Sequence, residues 1–502
     1  IERLASDPDV AYIAPDQEVR AFAVDKGPES VGAYAAYSQG WTGSGIGVAV
    51  IDSGLSYQNC DWAQSLTSGC AAPRYAAQVS FVNNLNGSYS APDDGQDAYG
   101  HGTHVASIIG GIGLYSTSFA NQYSIYPTYW IHGVAPGVKV FSMRVLKADG
   151  TGTDSSVIAA INYAIANKSQ YNIRIINLSL GRPVTVSYTK DPLCQAVEKA
   201  WKAGIVVVVA AGNFGRNNSS GNQGYGTITA PGNDPYVITV GAVNTFASTD
   251  RTKHRVASYS SKGPTAIDHI VKPDLVAPGN NIYATQCKEC ALTASYPANA
   301  IPDTDYATVS GTAKSTYYLR LSGTSMATPV VAGAVALMLQ KDSTLTPDQV
   351  KARLMKTASK TNFPASYSAV DAATNTSYTV YHDAFTIGAG ELDITAALAN
   401  TDKVSTSLTA ASPAVTYNST TKTVNLVSGS TLVWGTTIVW GTTVVWGTTV
   451  MSGNTIVWGT TLVWGTNTNS ASSVIWGTGT AIASTGSALV SESSSAVLSG
   501  DK

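Results

Sequence analysis

Ile173-Arg174-Ile175-Ile176-Asn177-Leu178-Ser179-Leu180, a helical pattern over Asp191–Ala203, then Ile205-Val206-Val207-Val208-Val209-Ala210: this order sets the architecture. Near-continuous apolar runs mark strands covered on both faces, and a helical stretch between two of them is a βαβ unit. The rhythm recurs at Ile46–Ile51, Val138–Val145 and Tyr236–Val243, with a second helix over Asp154–Asn167. Both helices open on an Asp that can cap the first turn. Later, Thr346-Pro347-Asp348-Gln349 combines an N-cap Thr, a first-position Pro and a capping-box Gln. The economical reading is an α/β domain with a doubly wound, mainly parallel sheet over residues 25–400.

Composition narrows the partners. Of 502 residues, 44% are hydrophobic and 12% charged, and 30 Lys+Arg against 32 Asp+Glu leave a net charge of −2. Nucleic acid and anionic membranes need clustered positive charge, so neither is the expected partner. The longest charge-free apolar stretches before residue 400, Gly204–Gly212 and Met326–Leu339, fall short of the ~20 residues that cross a bilayer. Beyond residue 400 charge nearly disappears: Asp402, Lys403, Lys422, Glu492, Asp501 and Lys502 are the only charged residues there. Residues 401–502 therefore read as a separate tail. Hexads of the Val-Trp-Gly-Thr-Thr type fill 433–480, and Trp434, Trp440, Trp446, Trp458, Trp464 and Trp476 share one phase. Six is a multiple of the strand period of two, so a continuous strand would aim these Trp to one face. A repetitive β-rich tail is preferred, with a Ser/Thr-rich low-complexity stalk as the other reading.

Five cysteines, Cys60, Cys70, Cys194, Cys287 and Cys290, leave at least one thiol unpaired within the chain. Cys60 and Cys70 close a short loop and can pair. Cys287-Lys288-Glu289-Cys290 reads as a redox motif or half a zinc site, although no second pair stands at ligand spacing. The opening Ile1-Glu2-Arg3 has neither an initiator Met nor a basic-then-apolar leader, so a trimmed fragment is expected.

Three segments carry candidate chemistry. Val48–Gly54 is an apolar strand ending in Asp52, where open α/β sheets place their sites; a turn-forming Asp is the plainer alternative. Tyr99–Ser107 sets His101 and His104 three apart at the start of an apolar helix, as metal ligands or as one base beside one structural imidazole. With no Glu between them and no nearby Cys, metal is the minor option. Leu321–Pro329 puts Ser325 at the head of a buried helix, where a nucleophile gains a positive local field; an ordinary N-cap is the alternative. Together they supply a hydroxyl, an imidazole and a carboxylate, the three parts of acyl-transfer catalysis.

Ile51-Asp52-Ser53-Gly54, His101-Gly102-Thr103-His104-Val105-Ala106 and Gly323-Thr324-Ser325-Met326-Ala327-Thr328-Pro329 resemble the three signature blocks of the subtilisin-like serine proteases, in the family's Asp, His, Ser order. The similarity runs from about Gly27 to Asn400. It implies Asp52 as orienting carboxylate, His101 rather than His104 as general base and Ser325 as nucleophile. Val209–Asn213 resembles the oxyanion block, with the Asn213 amide as donor. Asn177–Gly181, through Ser179, Leu180 and Gly181, resembles one wall of the specificity pocket; Ala210, Ala211 and Gly212 resemble the other, with Thr229 near the base. Those small, uncharged walls imply apolar or aromatic side chains before the cut bond. Lys147–Thr153, through Gly150, Thr151 and Gly152, resembles the edge that pairs with an extended substrate.

The resemblance further implies a secreted or cell-surface endopeptidase acting on protein or peptide substrates. Leu4–Asp16 resembles the end of a subtilisin-type propeptide, an intramolecular inhibitor, in a remnant covering 1–24 with self-cleavage expected within Glu18–Lys26. No cofactor is required for the chemistry, and no metal ligand is assigned. Calcium is possible from the family but unsupported by the sequence, since Ile108–His132 does not match its calcium loop. The Asp93-Asp94-Gly95-Gln96-Asp97 cluster reads as a solvated loop first, then a cation site or a substrate-facing rim. The rival function is a surface adhesion or structural protein in which the tail works, by surface attachment or self-association, and the protease domain is vestigial.

Overall fold

The computed structural model describes residues 27–502 apart from 57–59, 63–74, 90–93, 118–125, 128, 218–223, 309–313, 361–362, 407–408, 419–422, 427–443, 447–448, 451–461, 465–488 and 491–499. The propeptide-like stretch 1–24, Cys70 and most of the repeat lie outside the described residues, and with Cys70 lies the expected Cys60–Cys70 pair.

The central sheet is built from β1 (Gly47–Asp52), β2 (Tyr75–Ser80), β3 (Lys139–Arg144), β4 (Ile173–Leu178), β5 (Val206–Ala210), β6 (Ile238–Asn244) and β7 (Leu275–Pro278), in the spatial order 7-6-5-4-1-3-2. Every neighbour in that order is parallel. Among the described residues, only the short strand Arg255–Val256 joins antiparallel, on β6. The inner strands β1, β5 and β6 are buried at every position, which is why they read as unbroken apolar runs. The order reverses between β1 and β4, so chain segments leaving β1, β4 and β5 open toward a common crevice, the place where such sheets bind ligands.

Five helices matter for the site: α1 (His101–Gly110), α2 (Asp154–Ala166), α3 (Pro192–Lys202), α4 (Thr324–Lys341) and α5 (Pro347–Thr357). Buried at every position from Thr324 to Leu339, α4 packs against β4, β5, β6, β7 and α1. A helix that is apolar all round is one covered on all sides. Asp191 caps α3, accepting from the Leu193 N–H at 2.9 Å. Asp154 does not cap α2: Thr153 does, accepting from Ser156, and Asp154 turns to the Arg182 guanidinium at 2.8 Å. A charged partner next to the helix end outcompetes the cap for that carboxylate. The capping box at Thr346 and Gln349 forms as its sequence dictates.

The composition break at residue 400 is not a packing break. Ala410 and Val415 are buried, the Ser412 N–H donates to Pro235 O at 2.8 Å, and Ser412 Oγ donates to Asp274 at 2.5 Å. Asp274 lies between the ammonium groups of Lys272 (2.7 Å) and Lys351 (3.1 Å), all buried. Burial alone would raise this carboxyl, but the two lysines outweigh it and hold it below its ordinary value. In the tail, Val444–Trp446 runs parallel to Leu462–Trp464, with Trp446 opposite Trp464, and Thr449–Val450 pairs antiparallel.

Candidate active site

Asp52 closes β1, and its Oδ1 accepts from the Ser53 N–H at 2.7 Å and lies 2.8 Å from His101 Nδ1. A carboxylate can only accept, so Nδ1 carries the proton and the basic lone pair of the imidazole is on Nε2. His101 stands at the first position of α1. Its helix comes so close to the turn after β1 that a Cβ on Gly102 would meet the Gly54 carbonyl at 2.3 Å, so the Gly in His101-Gly102-Thr103 is a spacing requirement.

Asp97 locks this approach. Oδ1 accepts from Ser53 Oγ at 2.8 Å, Gly100 N–H at 2.7 Å and Tyr99 N–H at 3.1 Å, and Oδ2 from Thr103 N–H at 2.9 Å and Thr103 Oγ at 2.6 Å. Far from lying in a solvated loop, as the cluster Asp93–Asp97 suggested, it is 3% exposed and satisfies the first turn of α1. Burial pushes its carboxyl up, and the hydrogen bonds from Thr103, Gly100 and Ser53 pull it back in part. No sequence spacing signals this, because the donors come from two separate segments.

His104 sits one turn below His101 and is fully buried, its Nε2 3.0 Å from the Leu319 carbonyl. Burial pushes this imidazole down to about 3, so it stays neutral and structural. Among the described residues, no group of three or more His, Cys, Asp or Glu side chains gathers as a metal cradle.

Ser325 is the second residue of α4, within the helix's positive end. Its Oγ donates to the Ser179 carbonyl at 3.0 Å, and Ser179 Oγ donates back to the Ser325 carbonyl at 2.8 Å. Asn213, three residues past β5, accepts at its Oδ1 from Thr324 N–H at 2.9 Å and from Thr324 Oγ at 3.2 Å. Because a backbone N–H can bond only the oxygen, the amide orientation is fixed and Nδ2 is the end that donates.

The two expected pocket walls meet at Thr229. A Cβ on Gly181 would lie 2.6 Å from Thr229 Oγ, and one on Gly212 would lie 2.7 Å from its Cγ2. The Thr229 N–H donates to Ala211 O at 3.0 Å. Gly212 also has φ +104°, a left-handed backbone that side chains resist. Leu180, Ala210 and Ala211 are buried alongside. Thr151–Gly152 is a two-residue strand, preceded by Gly150 in a turn closed by Gly150 N–H to Lys147 O at 3.0 Å.

Cys287 and Cys290 form a disulfide, so their sulfurs are not held as zinc ligands. It packs under the residue before His101: Cys290 Cβ would be 3.1 Å from a Cβ on Gly100, and Ala291 and Leu292 donate to the carbonyls of Ala98 and Tyr99. Cys194 is a buried free thiol pushed up by burial.

Residues 43–390 match the subtilase family. The serine protease AprX of Bacillus subtilis (strain 168) is 35% identical over 323 residues, covering 62% of this chain and 60% of its own length. Subtilisin E of the same organism is 34% identical over 360 residues, covering 71% and 72%, and subtilisin DY of Bacillus licheniformis 34% over 321 residues, covering 64% and 86%. The fold and the relatives define a serine endopeptidase. The chain belongs to the subtilase family.

Proposed function

We propose that Ser325, His101 and Asp52 are the catalytic triad of a secreted or cell-surface endopeptidase, with Asn213 and the Ser325 N–H as oxyanion donors. The observation that carries this is the 2.8 Å bond between His101 Nδ1 and Asp52, which leaves Nε2 as the base at the head of α1, packed against α4. Ser325 Oγ attacks the peptide carbonyl carbon as its proton passes to Nε2. The oxyanion takes hydrogen bonds from Asn213 Nδ2 and the Ser325 N–H. His101 then protonates the leaving amine, the C–N bond breaks, and water repeats the sequence on the acyl-enzyme, returning the proton to Ser325. Activity therefore rises with pH as His101 loses its proton.

Small, uncharged Gly181, Ala210, Ala211, Gly212 and Thr229 support an apolar or aromatic preference before the cut bond, and Gly150, Thr151 and Gly152 support strand pairing with the substrate. The Cys287–Cys290 disulfide favours an oxidising compartment, and no described helix is long and apolar enough to cross a membrane. Leu4–Asp16 reads as a propeptide end, removed within Glu18–Lys26.

The test is labelling of the purified chain with a serine-directed fluorophosphonate, beside Ser325→Ala, with intact mass read on both. Modification at Ser325 that disappears in the variant is expected. A folded chain that does not label overturns the reading.

A further inference from the structure

The short strand Thr151–Gly152 already has a neighbour. Leu489–Val490 lies antiparallel beside it, Leu489 opposite Gly152 and Val490 opposite Thr151. An exposed edge offers unpaired N–H and C=O groups to any extended chain, and here the chain supplies its own.

A short distance onward, Gly500–Lys502 is built into the catalytic domain. Asp501 is 1% exposed. Its carboxylate accepts from Ser258 N–H at 2.6 Å and Ser258 Oγ at 2.7 Å and pairs with Arg216 at 2.5 Å. Its backbone N–H donates to Asn280 Oδ1 at 2.8 Å, and Asn280 Nδ2 donates back to its carbonyl at 3.0 Å. Lys502 N–H bonds Val370 O at 2.9 Å, and Ala372 N–H bonds Gly500 O at 3.2 Å. Arg216 is itself held by Asp371 at 3.1 Å and lies over the rings of Tyr259 and Tyr378. The slot adjoins the nucleophile's approach, since a Cβ on Gly500 would meet Ser322 Oγ at 2.5 Å. Removing one partner from such a buried network strands the others, so it is a lasting anchor.

We propose that Leu489–Val490 is the resting occupant of the substrate edge, an intramolecular competitor of extended peptide substrates kept there by the Asp501 anchor. This rests on the assignment of Thr151–Gly152 as the substrate edge. Three observations favour this occupant. The pairing is antiparallel and in register. Leu and Val are strand-favouring residues. The anchor keeps the segment within reach, since each residue spans at most ~3.6 Å, and tethering of this kind gives an effective concentration on the order of millimolar. A substrate must displace the segment before it can pair, so the cost falls on KM and not on kcat.

The test compares the full chain with Leu489→Pro/Val490→Pro, in which neither residue can donate to the edge, and with Asp501→Ala. Intact mass establishes that the tail is still attached in each. An extended peptide substrate gives kcat and KM, and a small fluorophosphonate that reaches Ser325 without lying along the edge gives a labelling rate. The expected result is a KM about tenfold lower in both variants, with kcat and the labelling rate unchanged within about twofold. Should Asp501→Ala lose its cooperative unfolding transition, the double-proline variant decides. Labelling with an unmoved or raised KM in that variant overturns the tail's role alone. Failure of every form to label overturns the protease reading, and this inference with it.

Discussion

Ser179 and Ser325 exchange hydrogen bonds: each hydroxyl donates to the other's backbone carbonyl, at 2.8 Å from Ser179 and 3.0 Å from Ser325. The reason lies one turn along α4. In a regular helix the Ser325 carbonyl would accept from the N–H of residue 329, but residue 329 is Pro and has none. The Ser179 hydroxyl takes the place of the missing donor, so a proline inside the helix ties the nucleophile's backbone to the end of β4.

Ser179→Ala is expected to lose about 1–3 kcal/mol of stability, the cost of a buried carbonyl deprived of its donor. Pro329→Ala supplies an N–H four residues on, so the double variant regains part of that loss. Urea unfolding of the two singles and the double measures the coupling. Strictly additive losses would sink the idea.

Asn213→Ala is expected to lower kcat by about 10²–10³ with little change in KM, because the donor acts on charge that develops only in the transition state. Asn213→Asp keeps an oxygen for Thr324 but offers no donor, and is expected to be at least as slow. A variant that changed KM alone would assign Asn213 to ground-state binding.

With five donors converging on it, Asp97 holds α1 in place. Asp97→Ala is expected to cost about 2–4 kcal/mol and to lower activity with it, through buried N–H and O–H groups left unserved. The denaturant midpoint and kcat of the variant check this, and near-wild-type values for both would refute it.

The Cys287–Cys290 bridge closes too short a loop to stabilise by much more than about 2 kcal/mol through chain entropy. Its larger effect is local, since it underlies Gly100. The pair Cys287→Ser and Cys290→Ser is expected to leave the protein folded but with reduced kcat. Unchanged turnover in a variant with a lowered melting temperature would make the bridge a stabiliser only.

Acid stability follows from His104. Its folded imidazole is pushed down to about 3, whereas an unfolded one titrates near ~6.5. The native state refuses a proton that the unfolded state accepts, so this contribution is whole above pH ~6.5 and is lost as pH falls toward 3. Compared with His104→Gln, the wild-type advantage should narrow by about 1.4 kcal/mol per pH unit below pH ~6.5. A constant gap between pH 7 and 4.5 would contradict the assignment.

What the sequence makes legible depends on how far apart the cooperating residues are. Strands β1, β3, β4, β5 and β6 are visible because burial on both faces writes itself into consecutive residues. The edge strand β2, with Gln78 and Ser80 in it, and the four-residue β7, ending in Pro278, carry too little pattern to find. The catalytic-type residues stand out because each sits beside a distinctive neighbour. Asp97 does not, because its donors are gathered by folding, and the Thr153 cap was hidden by the more conspicuous Asp154. Nothing in Gly500-Asp501-Lys502 announces that it fills a buried slot among residues from Arg216 to Asp371, since a slot is a property of the folded surface and not of its occupant.

Val415 is packed with Val243, Val256 and Phe385, and Asp501 is locked to Arg216 and Ser258, so the chain between them leaves and rejoins one body. The repeat is therefore carried as a handle with two fixed ends. A single cut within it would not release the segment beyond the cut, because that segment remains clamped through Asp501. A pull applied through the Trp-Gly-Thr units would be shared between two attachments, one on each side of the repeat, and both would have to yield before the handle came free.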